Sequence, residues 1–415
     1  MIPPSAPSVN RSRRQPSLAF LVFTLTFSHA MAVGSVLVLP AIAPVVAAEY
    51  GIDASLVGYH ISVVSIGLIA SLAMCVGLSR RLGAARTAQI GQCLVACGML
   101  CAIIPSPGFL LPGSLVIGLG FGLLAPPASA LMMRFAPPGR RNLVFSIQQT
   151  SVPLGGVIAA LAAPAITVNF GWRWAFLQAV FMLGLAIILL QVGRPSWDDD
   201  VEPEHPAFAR DPLEGLRANW RDRNLRLLSL AGMSFCWAQF CVATFAVVAC
   251  VAVLDMTLVH AGLVLTAVQV ASTLGRMLAG WIADRTGSAG RLLLWMSWTM
   301  LALSIGFIWL SPGWPLPLVY TLFALLGIAS GAWAGVLMAE VGKGAPPGRV
   351  AAVVGGMLLY VNIGKLVGPA VFSLSYALTH SYSIAFALLA VPSLIAVGCL
   401  RAQQKAQQQA QPRAA

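Results

Sequence analysis

The sequence predicts an all-α membrane protein, with twelve transmembrane helices in two pseudo-symmetric six-helix bundles. Three observations carry that reading. Of 415 residues, 58% are hydrophobic and only 9% are charged, against about 25% charged in a soluble protein. The apolar residues come in blocks of about 20, the length an α-helix needs to cross a bilayer. The chain is also written twice. Ala-Pro-Pro-Gly-Arg stands at Ala136–Arg140 and again at Ala345–Arg349, 209 residues further on. The flanks repeat with it: Gly118, Gly122 and Gly155 fall on Gly327, Gly331 and Gly364, and Arg134 falls on Lys343. Arg80-Arg81-Leu82-Gly83 falls on Asp284-Arg285-Thr286-Gly287 at an offset of 204. Such duplication is a known route to membrane transporters, whose substrate site lies between the repeats.

In chain order, residues 1–16 carry Arg11, Arg13 and Arg14 and read as a cytoplasmic tail. The first six spans fall at about 17–39, 55–78, 87–105, 109–133, 142–168 and 172–192. The second six fall at about 226–254, 260–283, 291–311, 315–341, 350–378 and 382–400. The run from Leu18 to Ala30-Met31-Ala32 has the composition of a cleaved leader. However, Phe27-Ser28-His29 aligns with Trp237-Ala238-Gln239, so its removal would break the repeat. The expected organisation is an N-terminal bundle with its tail (1–192), a charged linker (193–225), a C-terminal bundle (226–400) and a disordered Gln/Ala-rich tail (401–415). The linker contains Asp198-Asp199-Asp200 and a short surface helix from Leu213.

A formal charge of +12 raises the question of nucleic acid. The distribution of charge excludes it. Of 25 Lys and Arg, 22 lie in loops or tails that share one face; Arg173 lies on the other, and Arg276 and Lys365 lie inside apolar blocks. This is the positive-inside pattern, and it places both termini and the linker in the cytoplasm of a multi-pass protein of the bacterial inner membrane. Cys93, Cys97 and Cys101 share one helix stripe. They read as small packing residues rather than metal ligands, and no disulfide framework is visible. Gly364-Lys365 resembles the end of a phosphate-binding loop, but Leu359 and Leu366 stand where Gly and Ser or Thr are required. No His pair has metal-ligand spacing, and no Ser sits in a nucleophile elbow. Neither an enzyme nor a cofactor or metal is expected. The expected partners are a small-molecule substrate and the lipid bilayer, with proton coupling a candidate and a functional monomer the expected state.

Gly280-Trp281-Ile282-Ala283-Asp284-Arg285-Thr286-Gly287 resembles the loop signature of the major facilitator superfamily. Gly171-Trp172-Arg173-Trp174-Ala175-Phe176 is similar to the start of that family's sixth helix, and Gly364 to Pro369 resembles its eleventh. The resemblance covers the whole chain, and its flavour is that of bacterial cyanate-permease-like and monocarboxylate-porter-like branches. It implies that the loop acid holds the two halves together when the outer gate is open. Here Arg80 occupies the acid's place in the first half, so only Asp284 serves that role, with Arg285 and Arg81 beside the two loops as gating candidates.

Ionisable residues inside spans are costly and tend to be functional. Arg276 lies eight residues before Asp284, about 12 Å deep at 1.5 Å per residue. Lys365 lies about 22 Å from the start of the eleventh span. No Asp or Glu lies at comparable depth, and two such cations suit an anionic substrate. The alternatives are that Arg276 bonds helix carbonyls or a nearby loop, and that Lys365 reaches a water-filled vestibule. His29 and Gln239 hold equivalent places in the two repeats and line the central cavity that the resemblance implies. His29 is a candidate proton-coupling group as well as a packed polar residue, and His60 is a weaker candidate of the same kind. Gln149, with Gln148, Thr150 and Ser151, opens the fifth span and is a candidate lining residue. Glu340 is a candidate for proton uptake or, as a gate residue, for pairing with Arg285 or Arg349. The function implied is secondary active transport of a small solute, with a small organic anion the candidate, by alternating access. One alternative is efflux of hydrophobic or drug-like compounds, which calls for acids at mid-depth. A distant alternative is a membrane sensor on the same scaffold.

Overall fold

The structure, a computed structural model, describes residues 17–137, 140–204, 206, 214–346 and 350–410. The basic tail at 1–16, parts of both Ala-Pro-Pro-Gly-Arg copies and residues 411–415 lie outside them. The first half comprises α1 (Leu18–Tyr50), α2 (Val57–Leu82), α3 (Ala84–Ala102), α4 (Leu110–Gly122, resuming as Ala125–Phe135), α5 (Arg141–Gln149, resuming as Ser151–Phe170) and α6 (Trp172–Trp197). A linker helix follows (Glu214–Arg221). The second half comprises α7 (Arg223–Leu254), α8 (Leu258–Thr286), α9 (Ala289–Gly306), α10 (Leu316–Gly331, resuming as Ala334–Gly344), α11 (Val350–Thr379) and α12 (Tyr382–Ala387, resuming as Ala390–Ala410). The described residues contain no strand.

Local chemistry sets the ends of these helices. Ser17, Asp222, Thr257 and Ser381 each accept a bond from an orphan amide in the first turn that follows. Gly51 and Gly287 stop α1 and α8 in the left-handed region, at φ 63° and 60°. Eleven of the twelve spans are long and apolar enough to cross a membrane. The exception, α3, carries Arg86, Gln89 and Gln92 in its first half. Its glutamines are matched inside the bundle: the Gln92 amide donates to Ser28 O at 2.7 Å, and that of Gln89 to Gln191 Oε1 at 2.9 Å.

Glycines set the closest helix approaches, and they do so twice. A Cβ at Gly155 of α5 would collide with Ala30 O of α1. One at Gly364 of α11 would collide with Met233 O of α7. Likewise Gly118 of α4 faces Val64 O of α2, and Gly327 of α10 faces Val268 O of α8. Small residues that let backbones approach are a principal source of helix association in lipid. Each glycine pair aligned by the sequence repeat therefore has one structural role in both halves.

The halves meet chiefly toward the face opposite the chain termini, called here the far face. There Ser62 of α2 donates to Leu366 O of α11 at 2.6 Å, and Ser373 of α11 donates to Ser55 O at 2.6 Å. Gly262 of α8 packs on Ala160 O of α5, and Gly156 packs on Gln269.

Two expectations change. Residues 193–198 are not a solvated linker, whereas Asp199 and Asp200 remain exposed. The α6 helix runs to Trp197, which is 1% exposed. Asp198 then accepts bonds from the amides of Ala85 and Arg86 at 2.8 and 2.9 Å, capping α3. Burial pushes its carboxyl upward, while those amide bonds and Arg194 pull it down. Arg134 is ion-paired with Asp199 and Asp200. An acidic run reads as solvated until a helix N-terminus and an arginine are placed beside it. The tail, expected to be disordered from Arg401 on, is helical to Ala410, with Gln403 1% exposed. Ala, Gln and Lys are good helix formers, and here they extend a helix that is already nucleated.

Candidate functional site

The site is built at two equivalent interruptions. The α4 helix breaks after Gly122 and α10 breaks after Gly331, positions that the repeat aligns. Interrupted helices at corresponding places in two halves are the best pointer to a binding site in this kind of molecule. In α4 the break precedes Pro126 and Pro127, which have no amide to continue the ladder. The α10 break has no proline. There Arg276 of α8 supplies the missing donor: its Nε bonds Gly331 O at 3.0 Å. A broken helix survives in a bilayer only when its freed backbone groups find such partners.

Lys365 stands opposite the α4 break. It is 4% exposed, and its ammonium lies 4.9 Å from the centroid of Phe121 and 4.4 Å from that of Phe240. The two rings come from different halves. Neither Lys365 nor Arg276 forms an ion pair with any described acid. The thiol of Cys236 on α7 lies within electrostatic range of both cations, and His29 and His60 lie within range of Lys365. The structure thus brings Arg276, Lys365 and His29 into one region around the breaks.

The Gln148 amide donates to Nδ1 of His29 at 3.1 Å, and the His29 ring packs edge-on to Phe121 at 5.6 Å. Its repeat counterpart Gln239 accepts from Trp333 Nε1 at 3.1 Å, beside the α10 break. Gln149 does not join them. It is exposed, with its amide 4.0 Å from Met338 Sδ of the other half, so it is the neighbouring Gln148 that serves the cluster. One residue is about 100° of helix rotation, which an uncertain helix start cannot fix.

The gating candidates lie apart from this cluster. Asp284 is exposed and Arg81 is exposed. Arg285 lies over the Trp281 ring at 5.4 Å. Glu340 bonds Lys343, three residues on in its own helix, at 2.7 Å. No ion pair joins it to Arg285 in this state, and Arg349 lies outside the described residues. Cys93 and Cys97 are exposed rather than packed, and no described group of His, Cys, Asp or Glu could hold a metal. Sequence reasoning missed Phe121, Phe240 and Trp333. Two of them had a signal: Phe121 immediately precedes the repeated glycine, and Phe240 follows Gln239.

Two repeated bundles of apolar helices, with broken helices and buried cations between them, define a polytopic membrane transporter. The chain belongs to the major facilitator superfamily, whose model matches residues 18–369. It is 25% identical over 373 residues to a gentisate transporter of Corynebacterium glutamicum, covering 84% of this chain and 81% of that protein. It is 26% identical over 344 residues to a putative niacin/nicotinamide transporter of Bacillus subtilis, covering 82% and 84%. A benzoate transport protein of Acinetobacter baylyi is 22% identical over 395 residues, covering 85% and 82%. Among solved structures, a bacterial homologue of the human lysosomal transporter Spinster, inward-facing and occupied, superposes with a TM-score of 0.73 at 15% identity, covering 96% and 99%. A POT family transporter in complex with 5-aminolevulinic acid gives 0.74 at 16%, covering 93% and 96%. The protein is a secondary transporter of a small solute. Efflux of drug-like compounds is not favoured, since relatives named as multidrug transporters match over only 86 to 108 residues.

Proposed function

We propose that this protein carries small aromatic carboxylates across the bacterial inner membrane, with Lys365 as the group that binds the carboxylate. One observation carries the reading: a buried ammonium with no acidic partner among the described residues, flanked by the Phe121 and Phe240 rings from opposite halves. An unpaired charge at that depth is expensive, and a bound carboxylate offsets the cost. The rings offer faces to an aromatic body. Gentisate, niacin and benzoate, which stand in the names of three relatives, are all aromatic rings bearing a carboxylate, while nicotinamide, also in the second name, bears an amide. Arg276 has Nε engaged at the α10 break, which leaves its terminal nitrogens to orient the anion. His29 with Gln148, and Gln239 with Trp333, provide polar edges for ring substituents.

Both termini face the cytoplasm in this reading, because nearly all Lys and Arg lie on that side. The far face is then external, and the contacts of Ser62 and Ser373 hold it closed. Asp284 engages only in the opposite state, which fits its having no ion pair with any described residue here. Arg81, Arg285 and Glu340 border the cytoplasmic opening. The test is counterflow of labelled benzoate, gentisate and nicotinate in proteoliposomes. Exchange of at least one, lost in Lys365→Ala, is the expected result. Absence of exchange for all three in active wild-type preparations overturns the substrate class.

A further inference from the structure

His60 of α2 is 4% exposed and bonded on both nitrogens. Nε2 donates to Val36 O of α1 at 3.0 Å, and Nδ1 lies 2.6 Å from Ser114 Oγ of α4. Ser114 Oγ also lies 2.5 Å from Leu110 O. The hydroxyl has one proton for two neighbours. With a neutral ring it donates to Nδ1. With a protonated ring, Nδ1–H donates to Oγ and the hydroxyl turns to Leu110 O. Both protonation states are therefore fully hydrogen-bonded, and only a hydroxyl rotation separates them.

The ring also borders a cavity of about 290 Å³ at the far face, lined by Leu39, Ala43, the exposed Asp53, Tyr59, Leu110 and Ser114. The charge of Lys365 on α11 lies within electrostatic range of the ring. Ser114 bonds His60, and Phe121 underlies Lys365, on one face of α4 two turns apart, a separation of about 10 Å. The titratable side chains of α1 are engaged elsewhere, His29 with Gln148, Glu49 with Arg173 and Tyr50 with Ile104 O. His29 does not border this cavity.

We propose that His60 is the proton-binding group of this transporter, loaded from the far-face cavity and linked electrostatically through Lys365 to the bound anion. A second positive charge near a bare Lys365 is opposed. A carboxylate on Lys365 removes that opposition, so the anion promotes protonation of Nδ1 and the proton promotes anion binding, by equal factors. When the anion leaves, Lys365 again opposes the charge and the proton is released. The stoichiometry is one proton per carboxylate. The inference rests on Lys365 as the anion site.

The test reads the proton directly. In the full chain labelled with ¹⁵N-histidine, the His60 signals, assigned by their loss in His60→Asn, report the ratio of protonated to neutral ring at pH 6. Lys365→Gln imitates the neutralised cation without any substrate. The ratio should rise about tenfold, the effect of one charge at about 10 Å in an effective dielectric of about 20. An unchanged ratio overturns the link. Saturating benzoate on the wild type should give the same rise. A rise in Lys365→Gln with none on adding benzoate keeps the link and sinks the aromatic-carboxylate reading instead. In proteoliposomes, His60→Asn should retain benzoate counterflow, which shows that it folds, while losing accumulation driven by an imposed pH gradient. Gradient-driven accumulation at the wild-type level overturns the assignment of His60.

Discussion

The ammonium of Lys365 on α11 lies 4.9 Å from the ring centroid of Phe121 on α4, across the boundary between the two halves. One side chain of the second half is thereby held by the helix that is interrupted in the first. Any movement of one half against the other must change this contact, which places the cation where alternating access can act on it.

Replacing that cation is therefore decisive. Lys365→Ala should lower affinity for an aromatic carboxylate about 10- to 100-fold, the scale of a hydrogen bond to a charged group. Phe121→Leu should cost about 2- to 30-fold through loss of the cation–π contact. Binding of benzoate to the purified variants, measured by calorimetry, checks both. A Phe121→Leu loss equal to that of Lys365→Ala would mean that the ring, and not the charge, governs recognition.

Arg276 offers a separable pair of effects. Its Nε satisfies Gly331 O at the α10 break, and leaving a buried carbonyl unsatisfied costs about 1–3 kcal/mol. Arg276→Ala should lower thermal stability even without substrate. Arg276→Lys keeps the charge and loses the planar fork, so anion counterflow should fall strongly. Normal stability and normal counterflow in both variants would remove Arg276 from the site and from the break.

The two signature loops differ in one acid, and the gate should differ with them. Asp284→Asn should impair uptake much more than Arg80→Ala, by shifting the balance of inward- and outward-open states. Uptake rates and cysteine accessibility at the far face measure the shift. Equal losses at the two positions would refute an asymmetric gate.

The repeated glycine contacts predict matched stability losses. Gly155→Val and Gly364→Val each force a side chain against a facing carbonyl, at a cost of about 1–3 kcal/mol or more. Gly184→Ala meets open space and should be tolerated. Melting temperatures of the detergent-solubilised variants decide, and intact stability at Gly155 would show that α5 and α1 approach less closely.

The orientation proposed above rests on the distribution of charge. Reporter fusions after Val201 and after Ala415 should both signal the cytoplasm. A periplasmic signal from one position alone would sink the twelve-span count, and from both it would reverse the assignment of the far face.

The sequence by itself determined the number of spans, their pairing into two halves and the family. Those properties depend on hydrophobic block length and on repeated glycines, which are local or periodic and leave a one-dimensional trace. It also singled out Arg276, Lys365 and His29, because a charge or imidazole in an apolar block stands out whatever it touches. Tertiary structure alone decided what those residues meet. Nothing near Arg276 in sequence announces Gly331 O, 55 residues away. The rings around Lys365 come from α4 and α7; their places beside Gly122 and Gln239 mark them in the sequence, but nothing there says that they meet one lysine. Gln148 replaced Gln149 through one residue of helical phase, and Asp198 left the solvent because α3 begins beside it. Contacts between distant helices are set by packing geometry, and in a bilayer nearly every helix face is apolar, so the pattern of the chain does not say which face turns inward.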